Sequence, residues 1–568
     1  MTDSTDTANT PEGDIPSQTL EDIAKARQEW LTSRDFSGVR ETYTLLDDIP
    51  LDLIYTPADL PGYNYLDKLG FPGEFPFARG SYPAMYRRRP WLMNQYSGFG
   101  TADDTNARWK RLLASGQWSV NLAFDLPSHL GLDSDDPMAE DEVGRLGCAI
   151  DTLRDFEILF DGIDLATTPA SFNTVGIAPI VIAMLIAVAE KQGIQASDIM
   201  GTITNDILSV YCSRGTWIYP PEHSMRLATD LIEYACRNMP RFNPLNVQPV
   251  YMRETGASTA QEGGYGLAFS LAYAESAMAR GLSVDEVAPR LTIFFGASFR
   301  VFEEAAKIRA ARRVWADTVK SRYSPNKKSS MGLRITGSSG GSGFIAEEPL
   351  TNVIRGTLGC LALVLGGVQG ILLASYDEAY AIPTEEASKL GLRTQQIIYE
   401  ESGCADVADP LGGSYYMEWL TDQMEEKIRH YLKEVENEGG ALHAVSSGWL
   451  RSRMDPNIVK LQRQAEEGLL KIVGKNAYVE NQQSEPDIEI FKVDPQSVSR
   501  QLERLNSIRR ERNEHDVNEV LAKLRKQAQD PNTNLMPILI EAVKAYATVG
   551  EISAVFKEEF GEWSEPAT

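Results

Sequence analysis

Between residues 95 and 425 the sequence alternates short apolar or small-residue runs with longer amphipathic ones, and no other feature limits the fold as much. Runs with strand character occur at 118–127 (WSVNLAFDLP), 167–176, 200–206, 245–252, 290–298, 332–339, 369–375 and 404–410 (CADVADP). Helical patterns such as IVIAMLIAVAEKQG, SMRLATDLIEYACRNM and GLAFSLAYAESAMARGL separate them. Eight such alternations predict a parallel α/β fold, most simply a (β/α)8 TIM barrel. Residues 1–18 read as a disordered tail. Residues 19–94 read as a charged helix followed by an extended arm, because 50–83 is too rich in proline, glycine and aromatics for a regular helix. Residues 426–568 read as a C-terminal helical region that also docks a partner, with a glycine break at Gly550.

The strands carry an unusual set of side chains. Barrel interiors are normally filled by branched apolar residues. Here Ser171, Asn173, Thr202, Thr204, Asn205, Thr336, Ser338 and Ser339 fall in the runs. If they face inward, short polar groups leave room along the axis for a long thin ligand. The competing reading puts them on strand-end loops, where polar residues are ordinary.

Composition narrows the partners. The formal charge of -25 argues against general affinity for nucleic acid or anionic membranes. Against that background the run Arg87-Arg88-Arg89 suggests a specific anion site, with a solvated surface run as the alternative. Five cysteines without CxxC spacing, and an N-terminus with no signal peptide, predict a reduced cytoplasmic protein. The five histidines show no metal-ligand spacing, and no apolar run is long enough to span a bilayer.

Several long motifs, in order, carry a family resemblance: RPWLMNQYSGFGT (89–101), AFDLPSHLGLDSDDP (123–137), GTITNDIL (201–208), RGTWIYPPEHSMR (214–226), VAPRLTIFFG (287–296), GGVQG with SYDEAYAIPTEEA (366–387) and RTQQIIYEESGCADVADPLGGSYYMEWLT (393–421). The chain resembles the large, substrate-binding subunit of the adenosylcobalamin-dependent acyl-CoA mutases, which include methylmalonyl-CoA, isobutyryl-CoA and 2-hydroxyisobutyryl-CoA mutases. The resemblance implies an isomerase with a barrel around coenzyme A and a radical 1,2-rearrangement of the carbon skeleton. The family's Asp-x-His-x-x-Gly cobalt-ligand motif is absent from this sequence. The implied partner is therefore a small cobalamin-binding subunit that supplies the cobalt ligand. A heterotetramer or larger assembly and a G-protein chaperone follow by the same analogy.

The resemblance also assigns residues. Tyr96 matches a tyrosine between substrate and corrin, its rival role being a core aromatic. Arg214 matches the arginine that pairs with the free carboxylate of methylmalonyl-CoA. Tyr251 stands where the family has a histidine on the thioester carbonyl, and as a phenol it could still donate to that carbonyl. Gln369 completes the expected catalytic set. Expected acyl-CoA contacts are Ala84, Met85, Arg87, Arg89, Ser171, Asn173, Thr204, Arg290, Thr292, Phe294, Arg334 and Ser338. Ala123 and Glu378 are expected near the cofactor. Arg290 has a rival role in a structural ion pair. The departures at Thr204, Tyr251, Leu372 and 336–343 predict a reshaped acyl pocket. Three readings result: a mutase for a carboxylated or other polar acyl group; a mutase for a hydroxyacyl or branched acyl group, with Arg214 redirected to a neighbouring acid; and a catalytically degenerate scaffold subunit.

Overall fold

The computed structural model describes residues 19–35, 43–95, 97–479, 488–489 and 494–566. The tail expected over 1–18 and most of the polar link at 480–493 lie outside the described residues, and so does Tyr96.

The architecture is mixed α/β, and its two larger sheets are wholly parallel. One has the order Leu92–Asn94, Gly370–Leu372, Arg334–Ser338, Leu291–Gly296, Leu245–Val247. The other has the order Val120–Ala123, Ala170–Asn173, Gly201–Ile203, Phe242–Asn243. Only Pro244 separates Phe242–Asn243 from Leu245–Val247; proline has no N–H to give to a ladder, so pairing changes there. Backbone hydrogen bonds join the sheets at both seams: Asn246 N to Thr204 O (3.1 Å) and Ala123 N to Ser97 O (3.0 Å).

Register sorts the strand residues onto two faces, as the two-residue period requires. On one face lie Val120, Leu122, Ala170, Phe172, Ile203, Ile293, Phe295, Ile335 and Ile371, all buried. The other face has rows that the pairing fixes. Asn121, Ser171, Thr202 and Asn243 share one row; Asn246, Thr292 and Arg334 share another. Leu92, Gly370, Thr336 and Phe294 form a third, and Asn94, Leu372, Ser338 and Gly296 a fourth. Most members of these rows are half-buried, while most of their strand neighbours are fully buried.

Two corrections follow. The run 404–410 forms no strand: Gly403 and Asp409 have positive φ (75° and 55°), and the Asp409 carboxylate is taken by Arg309. Its place in the count is filled by Leu92–Asn94, inside the segment read as arm, which pairs in parallel with Gly370–Leu372. The run 245–252 also splits, because Val250–Glu254 is helical.

The arm is fastened to the body at many points. Arg312 donates to Phe77 O (2.9 Å) and Ala78 O (2.8 Å), Tyr86 Oη to Val368 O (2.7 Å), and Ser81 Oγ to Leu333 O (2.6 Å). Helix Ala178–Lys191 is buried on every side through Ala189, because Met536–Lys544 covers what would otherwise be its outer face. Among the described residues no helix is long and apolar enough to cross a membrane. Gly550 does not break a helix; it lies inside Val549–Phe560, where a Cβ would come within 2.7 Å of the Asp133 carboxylate. That carboxylate accepts from Gly550 N (2.7 Å), Thr548 Oγ1 (2.6 Å) and Arg509 (2.8 Å), tying the C-terminal helices to the 125–137 segment.

Candidate active site

Because the strands are parallel, their two ends carry different chemistry. At the C-terminal ends, helix Val250–Glu254 presents Tyr251, whose hydroxyl donates to Asn173 Oδ1 at 2.9 Å. Thr204 Oγ1 donates to the same oxygen at 3.0 Å. The Tyr251 ring carries the Arg214 guanidinium, 4.8 Å from its centroid. Arg214 follows helix Ile207–Tyr211, whose start is fixed by the Asp206 carboxylate through Gln248 N (2.7 Å) and Tyr273 Oη (2.9 Å). Arg214 is exposed, and no carboxylate among the described residues pairs with it. A ring face gives a cation about 0.5–2 kcal/mol but does not neutralise it.

His129 joins this group although histidine spacing gave no sign of it. It ends helix Leu126–His129, which Asp125 caps at Ser128 N (3.0 Å), and its Nδ1 lies 3.3 Å from Thr174 Oγ1. Burial, reinforced by the charge of Arg214, pushes its pKa down to about 3. It is therefore a neutral imidazole, able to donate from one nitrogen and accept at the other. The signal available was its place in AFDLPSHLG, between a strand end and a helix end.

A second group lies around the loop Gly340–Gly343. Ser342 N donates to Glu254 Oε2 at 2.8 Å, and a Cβ on Gly341 would meet Glu378 Cγ at 3.2 Å. Glu378 is accessible, yet protein surrounds it on most sides. That confinement, with repulsion from Asp377 and Glu254, raises its carboxyl to about 7. Behind the loop, Lys307 is completely buried and bonds Glu262 (2.5 Å), Glu304 (2.6 Å) and Gly296 O (2.6 Å), while Glu262 accepts from Gly296 N (2.6 Å). Burial alone would raise the Glu304 carboxyl; Lys307 and Arg253 overcome it and hold it at about 2.

The N-terminal ends hold the arginines. Arg87, Arg88 and Arg89 are exposed, and Arg89 lies 5.9 Å from the Trp118 ring centroid. Arg334 donates to Asn243 Oδ1 (2.9 Å); burial lowers its pKa, and Tyr82 of the arm opposes that shift. Arg290 makes no ion pair among the described residues. It donates to Ala235 O (2.9 Å) and Met239 O (3.1 Å), the closing carbonyls of helix Pro221–Asn238. Thr292 Oγ1 donates to Leu245 O (3.3 Å).

Gln369 is at this end as well, away from Arg214. Its Oε1 accepts from Ile335 N (2.8 Å) and its Nε2 donates to Gly367 O (2.9 Å), so it braces two strand starts. Met85 is buried, with its methyl in the space that a Cβ at Gly367 would need; Ala84 is exposed beside it. Between the two ends, Ser171, Thr336, Phe294 and Ser338 are half-buried on the polar rows, and Ala123 is buried against Gly98. Two atoms of these rows, Thr202 Oγ1 and Asn246 Oδ1, are buried without a hydrogen-bond partner among the described residues. Such groups cost about 1–3 kcal/mol each unless a ligand or water satisfies them.

Comparison with known proteins gives the family. The methylmalonyl-CoA mutase family model matches residues 44–562. The chain is 42% identical over 526 residues to the 2-hydroxyisobutanoyl-CoA mutase large subunit of Aquincola tertiaricarbonis, covering 93% of each protein. It is 40% identical over 521 residues to the methylmalonyl-CoA mutase of Cereibacter sphaeroides, covering 92% of this chain and 73% of that one. It is 38% identical over 522 residues to the human mitochondrial methylmalonyl-CoA mutase, covering 90% and 69%. On a match spanning nearly all of its length, the chain belongs to the methylmalonyl-CoA mutase family of acyl-CoA mutases.

Proposed function

We propose that this chain is the large subunit of an adenosylcobalamin-dependent mutase whose acyl group carries a carboxylate. One observation carries the substrate reading: Arg214 is held on the Tyr251 ring, accessible, and without an acid partner among the described residues. An accessible guanidinium with no acid of its own is free to make bidentate, charge-assisted hydrogen bonds to a substrate carboxylate. The alternative of a hydroxyacyl substrate draws on the 42% identity to the 2-hydroxyisobutanoyl-CoA mutase large subunit. That reading redirects Arg214 to a neighbouring acid, and no such contact is formed among the described residues.

In this proposal the two parallel sheets form one eight-stranded (β/α)8 barrel. The hydrogen bonds at both seams and the half-buried polar rows support it. A pantetheine arm runs along the axis and satisfies Thr202 Oγ1 and Asn246 Oδ1. The nucleotide end meets Arg87, Arg88 and Arg89, since guanidinium forks suit phosphate. Arg334, Thr292 and Phe294 line the path, and Ser171, Ser338 and Asn173 lead to the acyl end. The Tyr251 hydroxyl is already given to Asn173, so Tyr251 acts on the substrate chiefly through Arg214.

The donor set around Gly340–Gly343 fits the adenosyl part of the cofactor. It offers two carboxylates, of which Glu378 keeps its proton up to about pH 7 and so can both donate and accept toward hydroxyls. The cobalt ligand is assigned to a small partner subunit, a reading supported by the 42% identity to a protein named as a large subunit. Bound adenosylcobalamin would supply the cobalt–carbon homolysis that starts the rearrangement. The chain's own residues orient the acyl group, hold its carboxylate and keep water out.

The test is turnover of methylmalonyl-CoA by the chain with a cobalamin-binding subunit and cofactor. Arg214→Gln should lower kcat/KM for that substrate by about 100-fold, as loss of a bidentate charge-assisted contact to the substrate does. Unchanged turnover in the variant would overturn the carboxylate reading.

A further inference from the structure

The segment that follows helix Val549–Phe560 has no role in the site as described so far. It runs back across the loop that carries Arg214. Trp563 lies flat on Tyr211, with ring centroids 5.3 Å apart and planes 8° from parallel. The same indole meets Trp217 edge-on at 5.5 Å. Trp217 Nε1 in turn donates to Tyr211 O at 2.9 Å. Two residues further along, Glu565 accepts from Arg451 at 2.9 Å and is only 12% exposed at its side chain. Trp563 is thus pinned on one side by an ion pair and on the other by two aromatic rings.

Tyr211 and Trp217 bracket Arg214 in the chain. Arg214 N bonds back to Val210 O (2.9 Å), and Gly215 turns with φ of 70°. The Tyr211 hydroxyl closes the other side of the loop by donating to Tyr219 O at 2.8 Å. The loop therefore has its two aromatic ends held from behind, while Arg214 projects to Tyr251. Without Trp563, Tyr211 would lose its stacking partner and Trp217 its edge contact. The loop would then keep its hydrogen bonds and the packing of Tyr211 on the core, but no aromatic cover from outside.

We infer that Trp563 is a positioning residue for Arg214: the Gly561–Pro566 segment is a strap that fixes the carboxylate-binding loop from outside the barrel. The inference rests on the reading of Arg214 as the carboxylate anchor. It makes selectivity for the acyl carboxylate depend on a residue far along the chain that touches no substrate.

The experiment measures calorimetric binding of methylmalonyl-CoA and of isobutyryl-CoA to the full chain with its cobalamin-binding subunit. Trp563→Ala, Trp563→Phe, Arg214→Gln and the Trp563→Ala/Arg214→Gln pair are compared, with melting temperature as a control on folding. Trp563→Ala should weaken methylmalonyl-CoA about fivefold to tenfold while isobutyryl-CoA changes by less than about twofold. Trp563→Phe should restore most of the loss, because a flat ring remains on Tyr211. In the Arg214→Gln background Trp563→Ala should add nothing. Equal loss for both ligands, or a further loss on top of Arg214→Gln, overturns the inference and leaves Trp563 a packing residue. If Arg214→Gln alone leaves methylmalonyl-CoA binding intact, the carboxylate reading itself fails, a result distinct from failure of the strap.

Discussion

The Arg214 guanidinium lies 4.8 Å from the centre of the Tyr251 ring, and that ring is held in turn through its hydroxyl by Asn173 at 2.9 Å. Charge, ring and amide form a chain of contacts, so the position of the charge depends on a strand residue two contacts away. Tyr251→Phe keeps the ring but leaves Asn173 Oδ1 with Thr204 alone. It should cost about 1 kcal/mol of stability and change binding of a carboxylated acyl-CoA less than threefold or so. Tyr251→Leu removes the ring as well and should weaken that binding further, by about another fivefold, in calorimetry.

The basic run at the N-terminal strand ends makes a prediction about the other end of the ligand. Arg89→Ala, and Arg87→Ala with Arg88→Ala, should raise the KM for acyl-CoA about tenfold. The corresponding acyl-pantetheine, which lacks the phosphates, should be turned over equally well by variant and parent. The salt dependence of KM for acyl-CoA should flatten in the variants.

Glu378 predicts a pH effect with a definite sign. Its folded pKa, about 7, lies above the ordinary 4.5. The folded state therefore holds this proton more tightly, and the stabilisation from it is complete below pH 4.5 and lost as pH rises through about 7. Glu378→Gln should abolish that decline in melting temperature between pH 5 and pH 8 or so. The same variant should flatten any rise or fall of kcat across that range.

Lys307 is the stability prediction. It neutralises Glu262 and Glu304 in a site with no exposure. Lys307→Met strips the lysine from both buried carboxylates and leaves Arg253 as the cation beside Glu304, which should cost about 3–5 kcal/mol and be visible in chemical denaturation. Glu304, held down to about 2, contributes stability present above its ordinary 4.5 and lost as pH falls toward 2, and Lys307→Met should shrink that acid limb to what Arg253 sustains.

Much of the fold was legible because hydrophobic period is local. Seven of the eight strand runs contain a strand, and the long helices fall where the apolar spacing put them. The miss at 404–410 has a long-range cause. CADVADP has strand-like composition, but Asp409 is claimed by Arg309, a hundred residues earlier. Leu92–Asn94 was hidden for the converse reason: three residues are too few to show a period, and only the edge of Gly370–Leu372 makes them a strand.

The site divides the same way. Arg214, Tyr251, Asn173 and Thr204 were singled out by type and motif, and they converge. Gln369 shares a motif with Glu378 but is at the opposite strand end, because a strand separates the two and its length sets the distance. His129 and Trp563 escaped notice, since neither has a neighbour in sequence that explains it. The sequence by itself determined the alternating elements, the polar character of the strand rows and the family, all of which rest on short-range pattern and residue identity. Only the tertiary structure decided which polar atoms remain unpaired, that Arg214 lies on a ring with no acid beside it, and which distant indole braces its loop. Those are matters of distance between residues that the chain itself keeps tens to hundreds of positions apart.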